Sequence, residues 1–196
     1  AKALIAEAEV DDKVVAISAA MPGGTGVDKF SESFPDRSFD VGIAEEHAVL
    51  MAAGMATKGM RPVCAIYSTF LQRAYDQLIH DIVVQDLNIL LAIDRAGIVG
   101  ADGETHQGIY DISFLRILPK IVLMTPSNEL EMWKMLSTGF KHDGLAAVRY
   151  PRGYSQGQDI NLDHSTIEIG KAKIVQKGNK IAYLVFGTLL NIVKKV

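Results

Sequence analysis

Cysteine is almost absent from this 196-residue chain. Cys64 stands alone in the apolar run Pro62-Val63-Cys64-Ala65-Ile66, so no disulfide framework exists and the thiol reads as a buried side chain in a reducing compartment. No apolar stretch approaches the roughly 18 residues that cross a membrane, and charged residues interrupt the first seven positions where a signal peptide needs a continuous apolar core. A cytoplasmic protein, or one of a comparable organelle matrix, is expected. Basic excess is also missing: the net charge is −3, which leaves no electrostatic footprint for nucleic acid. Neither G-x-G-x-x-G nor the phosphate loop G-x-x-x-x-G-K-[ST] occurs, and H-E-x-x-H and paired Cys/His spacings are lacking, so no metal ligands are expected within the chain.

What the chain does have is enough apolar material for a sizeable core, with 48% hydrophobic and 22% charged residues. Short β-branched runs alternate with helical patterns. Strands are expected at 13–18, 38–41, 61–66, 88–93, 121–124 and 145–148, and helices at 25–33, 45–58, 70–85 and 129–140. Strands such as Ile89-Leu90-Leu91-Ala92-Ile93 are apolar at successive positions, as they are when helices cover both faces of a parallel sheet. The expected fold is therefore α/β, an open, mostly parallel sheet with helices on both faces. Beyond residue 155 the texture becomes polar and the charge reverses, from −6 for residues 1–155 to +3 for the remainder. This divides the chain into a domain at 1–155, a linker at 156–178, and a truncated second domain at 179–196, where a strand over 181–186 is expected. The start without Met and the abrupt end suggest a piece of a longer polypeptide.

In open α/β sheets ligands bind beyond the carboxyl ends of the strands. Polar and aromatic residues gather at each such place here. Gly23, Gly24 and Gly26 follow the first strand as either a tight turn or a backbone approach to a ligand. Glu45 opens a helix whose same-face positions are Val49, Ala52 and Ala56, so its carboxylate is either a first-turn acid favoured by the helix dipole or a buried functional group. Glu46 lies off that stripe and fits the dipole reading. Tyr67, Phe70 and Arg73 offer rings for stacking beside a planar cationic fork, although aromatic residues at helical spacing are usually core. Asp102 and His106 belong to a glycine-bordered loop with Thr105 and Gln107, which suits a polar grip on a hydroxylated or carbonyl substrate better than a metal.

Four segments carry a resemblance. They are Asp40-Val41-Gly42-Ile43-Ala44-Glu45-Glu46-His47-Ala48-Val49, Tyr67-Ser68-Thr69-Phe70-Leu71-Gln72-Arg73-Ala74-Tyr75-Asp76-Gln77, Asp94-Arg95-Ala96-Gly97-Ile98-Val99-Gly100-Ala101-Asp102-Gly103, and Arg149-Tyr150-Pro151-Arg152-Gly153. Together they closely resemble the 1-deoxy-D-xylulose-5-phosphate synthase family of transketolase-like thiamine diphosphate enzymes, over the pyrimidine-binding domain and the opening of the C-terminal domain. The third segment is what separates this family from its transketolase-like relatives. The resemblance implies a homodimeric, three-domain transferase that condenses pyruvate with D-glyceraldehyde 3-phosphate, releases carbon dioxide, and feeds isoprenoid and thiamine biosynthesis. It implies thiamine diphosphate as cofactor, with the diphosphate and its Mg²⁺ held by an N-terminal domain not present in this chain.

Residue by residue, Glu45 is similar to the glutamate that bonds N1′ of the aminopyrimidine, and Phe70 to the aromatic packing on that ring. Sharing a proton with N1′ favours the imino tautomer, whose 4′-nitrogen takes the proton from C2 of the thiazolium. Tyr67, Arg73, Arg95 and Arg152 match positions along the substrate channel, and Asp102 and His106 match polar residues near the reacting carbons. The three arginines, coming after separate strands, are expected to converge on one anionic ligand. The chain departs from the family wording at Ala19-Ala20-Met21-Pro22-Gly23-Gly24 and at Glu46, where Gln is common. Two other readings stand beside this one: a transketolase or 2-oxoacid dehydrogenase β-like pyrimidine domain, and a non-catalytic assembly domain. In isolation the chain is expected to be inactive.

Overall fold

The computed structural model describes residues 1–154, 157 and 164–195. Six strands, β1 (Val14–Ser18), β2 (Ser38–Asp40), β3 (Arg61–Tyr67), β4 (Ile89–Asp94), β5 (Val122–Met124) and β6 (Leu145–Arg149), form one sheet in the order β2-β1-β3-β4-β6-β5. Every pairing is parallel. The central strands are buried along nearly their whole length, which is why their sequences read as apolar runs instead of alternating patterns.

Two hydrophobic layers result. On one face, Ile17, Cys64, Ile66 and Leu91 pack under Ala48, Val49 and Ala52 of α4 (Glu45–Ala56) and under Leu71, Leu78 and Ile82. On the other, Val14, Ala16, Val63 and Leu90 meet Leu4 of α1 (Lys2–Val10), Phe30 of α3 (Val27–Ser33), and Trp133 and Phe140 of α8 (Glu129–Lys141). Each fully buried branched side chain is worth roughly 1.5–3 kcal/mol, so the two layers together dominate the folding energy. Cys64 lies inside the first layer, where burial pushes its thiol up to about 12. It is therefore a packing residue.

Several local expectations change, beginning with α1, a helix that the periodicity had not placed. The helical pattern at 70–85 forms a chain of short pieces: α5 (Ser68–Leu71), a 3₁₀ turn (Gln72–Ala74), α6 (Tyr75–Gln77) and a π-helix (Leu78–Val83). Leu71, Ala74, Leu78 and Ile82, three and four residues apart, lie on one face and are buried, while Phe70 is half-buried against that core and Arg73 is exposed. A short helix, α7 (Asp111–Leu115), was not legible from periodicity; its first residue is pinned by a buried ion pair in which Arg149 Nε meets Asp111 Oδ2 at 2.9 Å. The strand expected at 181–186 does not form. Leu184 and Phe186 are exposed, and a strand without a ladder partner leaves its backbone groups to water. Only a 3₁₀ turn (Gly187–Leu189) and α9 (Leu190–Val193) follow. Part of the expected linker, residues 156 and 158–163, lies outside the described residues.

Candidate active site

The chain leaves β1 toward β2 on one side and re-enters at β3 on the other, so the carboxyl edge between β1 and β3 is the point where the strand order reverses, the usual place for a ligand in such sheets. The loop after β1 turns through α2 (Pro22–Thr25) and lies against this edge, with the Tyr67 amide donating to Met21 Sδ at 3.4 Å. Register then sets the neighbours: Tyr67 stands opposite Asp94, and Ile93 opposite Arg149. The residues just past these strand ends are thereby gathered in one place.

Glu45 sits at the first position of α4 and is 1% exposed, whereas Glu46 and His47 are exposed. Its burial marks it off from Glu46, since a dipole-stabilised acid needs no burial. Arg73 Nη1 donates to Oε1 at 2.9 Å. Oε2 is buried and has no hydrogen-bond partner among the described residues. An orphaned carboxylate oxygen in such a position carries a desolvation cost of about 1–3 kcal/mol or more, which any donor within hydrogen-bond reach removes.

Beside this carboxylate stands an aromatic group. The Phe70 and Tyr67 rings stack at 6.0 Å between centroids, and the His106 ring meets Phe70 edge-on at 5.2 Å. The Arg73 guanidinium carbon lies 5.1 Å from the Phe70 centroid, and that of Arg95 lies 4.1 Å from the Tyr67 centroid. Burial raises the Tyr67 phenol above its usual range, against the opposing pull of Arg95.

Arg95 holds the middle of the site. Its backbone is left-handed, with φ at +55°, which turns the side chain back over the sheet edge. Nη1 donates to the Gly24 carbonyl at 2.9 Å and to Asp94 Oδ2 at 2.8 Å, joining the loops after β1 and β4. Burial raises the Asp94 carboxyl, and Arg95 opposes that rise. On its other side Arg95 Nε lies 3.5 Å from Asp102 Oδ2, and Arg152 Nη1 donates to Asp102 Oδ1. The loop that carries Asp102 and His106 closes through Gly97 and Gly108, whose amides exchange bonds of 2.7 and 2.8 Å with each other's carbonyls. Gly108 is obligatory there, since a Cβ would lie 2.2 Å from the Arg95 carbonyl oxygen. His106 Nδ1 is held 2.9 Å from Thr105 Oγ1, which leaves Nε2 on the free side of the ring.

All eight residues singled out from sequence are thus linked: Glu45 to Arg73, Arg73 to Phe70, Phe70 to Tyr67 and His106, Tyr67 to Arg95, and Arg95 through Asp102 to Arg152. The three arginines fall into two groups. Arg95 and Arg152 meet at Asp102, while Arg73 is paired with Glu45, because each guanidinium takes the carboxylate that its own turn brings within reach. Asp94 and the Gly24 carbonyl were not among the expected site residues. An acid ending an apolar strand just before an arginine was the signal available for Asp94. Among the described residues no group of three His, Cys, Asp or Glu side chains is placed to hold a metal ion.

Comparison with known proteins now gives this arrangement a lineage. Residues 1–156 match the family model for the transketolase pyrimidine-binding domain. The chain is 56% identical over 189 residues to 1-deoxy-D-xylulose-5-phosphate synthase from Shouchella clausii (strain KSM-K16), covering 96% of this chain and 30% of that protein. It is 57% identical over 180 residues to the synthase from Vibrio campbellii (strain ATCC BAA-1116), covering 92% of this chain and 29% of that one. It therefore spans about three-tenths of the length of these curated relatives. Among solved structures, a split-gene transketolase, an inactive β4 tetramer, superposes with a TM-score of 0.77 at 26% identity, covering 90% of this chain and 57% of that one. Transketolase from Campylobacter jejuni subsp. jejuni NCTC 11168 shares the fold, with a TM-score of 0.70 at 18% identity over 80% of this chain and 25% of that one. The family match runs from the first residue past the last strand and its Arg152 turn, and on that ground the chain belongs to the transketolase pyrimidine-binding-domain family.

Proposed function

We propose that this chain supplies the aminopyrimidine-binding side of a thiamine diphosphate-dependent 1-deoxy-D-xylulose-5-phosphate synthase. In this reading the full-length enzyme condenses pyruvate with D-glyceraldehyde 3-phosphate and releases carbon dioxide, as a homodimer in the cytoplasm or an organelle matrix. Mg²⁺ and the diphosphate belong to an N-terminal domain outside this chain. The observation that carries the proposal is the buried Glu45 carboxylate, with one oxygen fixed by Arg73 and the other open. No helix among the described residues is long and apolar enough to cross a membrane.

The residues fit the cofactor's ring. Glu45 Oε2 is an acceptor that lacks a donor, and Phe70 is an aromatic face beside it. When bound, thiamine diphosphate supplies the nucleophilic carbon and the electron sink for decarboxylation. Glu45 Oε2 holds the proton at the ring nitrogen, in a water-poor setting where such exchange is strengthened. Phe70 orients the ring plane, and Tyr67 with His106 closes the aromatic wall against water. Arg95 and Arg152, already drawn together by Asp102, form a two-cation seat for the aldehyde's phosphate. His106, steadied by Thr105, moves a proton at the aldehyde oxygen through Nε2.

Product identity tests the reading. The full-length protein given thiamine diphosphate, Mg²⁺, pyruvate and glyceraldehyde 3-phosphate should yield 1-deoxy-D-xylulose 5-phosphate and an equivalent of carbon dioxide, followed by mass spectrometry. Two-carbon transfer between sugar phosphates with pyruvate untouched would assign the transketolase reading instead. For the chain by itself, an assembly role is the second reading. It is favoured by the split-gene transketolase neighbour, which is a tetramer without activity.

The phosphate seat carries its own expectation. In the full-length enzyme Arg152→Ala should raise KM for glyceraldehyde 3-phosphate about tenfold or more, the worth of a lost charged hydrogen bond. KM for unphosphorylated glyceraldehyde should change less than about twofold, with little change in melting temperature because the pair with Asp102 is partly exposed. Equal losses for both aldehydes, or a large drop in melting temperature with normal discrimination, would reduce Arg152 to a clasp on the Asp102 loop.

A further inference from the structure

We propose that Arg73 is a positioning residue that acts through Glu45 rather than a ligand for the substrate's anionic groups. The inference rests on the reading of Glu45 as the aminopyrimidine carboxylate. Three observations carry it. Arg73 Nη1 takes Oε1 of Glu45 at 2.9 Å while Oε2 has no partner, so the two oxygens are made unequal and only one is offered to an incoming donor. The pair is lopsided in burial: the Glu45 side chain is 2% exposed and that of Arg73 51%. Arg73 can therefore reach a carboxylate that water does not, and it supplies the compensating charge without which a buried carboxylate is costly. Finally, the same guanidinium lies 5.1 Å from the Phe70 centroid, and so fixes the carboxylate relative to the aromatic face.

Arg73 and Glu45 pair one to one, whereas Arg95 and Arg152 are joined to each other through Asp102, with Asp94 as a further partner of Arg95. The sequence prepares the arrangement. Arg73 falls in the 3₁₀ turn between α5 and α6, with half of its side chain exposed while its neighbour Ala74 is fully buried.

A double-mutant cycle separates acting through Glu45 from acting on substrate. Its first readout is thiamine diphosphate affinity of the full-length apoprotein with Mg²⁺, measured by calorimetry. Arg73→Met and Glu45→Gln should each weaken binding about tenfold, in line with the loss of a hydrogen bond to a charged group. Their combination should cost little more than either alone. Arg73→Lys, which keeps the charge and loses the fork, should recover part of the loss and guards against a variant that fails to fold. KM for pyruvate and for glyceraldehyde 3-phosphate should stay within about twofold in Arg73→Lys. Additive losses of about a hundredfold in the double variant, or a KM for either anionic substrate that rises severalfold in Arg73→Lys, would overturn the inference. If Glu45→Gln alone leaves cofactor affinity and C2 exchange unchanged, the reading of Glu45 fails instead, so the two failures are distinguishable.

Discussion

Residues 1–196 expressed alone should form no detectable 1-deoxy-D-xylulose 5-phosphate from pyruvate, glyceraldehyde 3-phosphate, thiamine diphosphate and Mg²⁺. The chain spans about three-tenths of its curated relatives, and its described residues gather no cluster of metal-ligating side chains. What it does present is a buried carboxylate and an aromatic face, which under the proposed reading meet only one end of a two-ended cofactor. Holding reacting groups in place is worth effective molarities of about 10⁵–10⁸ M, so a cofactor anchored at the ring alone loses most of its rate. Mass spectrometry of the reaction mixture is the direct check. Clear product formation by the purified chain would show that the ring contacts suffice, and would remove the need for an N-terminal partner domain.

The second large effect concerns Glu45. In the full-length enzyme Glu45→Gln should slow exchange of the cofactor's C2 hydrogen at least tenfold, because positioned proton transfer contributes roughly 10²- to 10⁴-fold. Glutamine has nearly the same shape, so it fills the same buried position, and its amide oxygen still accepts from Arg73. What disappears is the carboxylate's capacity to share a proton. NMR of the C2 hydrogen follows the exchange without requiring substrate turnover. An unchanged rate would leave Glu45 as a first-turn acid stabilised by the helix dipole and nothing more.

Much of the site was legible because its members stand where apolar patterns break. The Glu45 stripe with Val49 and Ala52 is a local feature of one helix, and it left burial and a first-turn dipole role as the two readings between which the structure places the side chain in the core. Tyr67 and Arg95 fall at or just past the ends of strands that read as continuous apolar runs. Asp94 was harder to read, since an acid closing a strand shows no partner in sequence until Arg95 is found folded back onto it at 2.8 Å. The Gly24 carbonyl carried no side-chain signal at all; it enters the site only because a guanidinium 71 residues away reaches it.

The sequence by itself determined the α/β class, the strand order along the chain, the buried character of Cys64 and the identity of the polar residues at the sheet's carboxyl edge. These are consequences of hydrophobic patterning, which acts over a few residues and needs no partner. Tertiary structure decided which charge meets which. Arg73 finds Glu45 across 28 residues and Arg152 finds Asp102 across 50, distances in sequence that only the register of β3, β4 and β6 brings to contact. Tertiary context also decided that 68–83 is built of short pieces of different pitch, and that 181–186, apolar as it is, makes no strand. Burial of an apolar residue is favourable wherever a core exists, whereas an ion pair or a strand ladder has value only when its partner is in place.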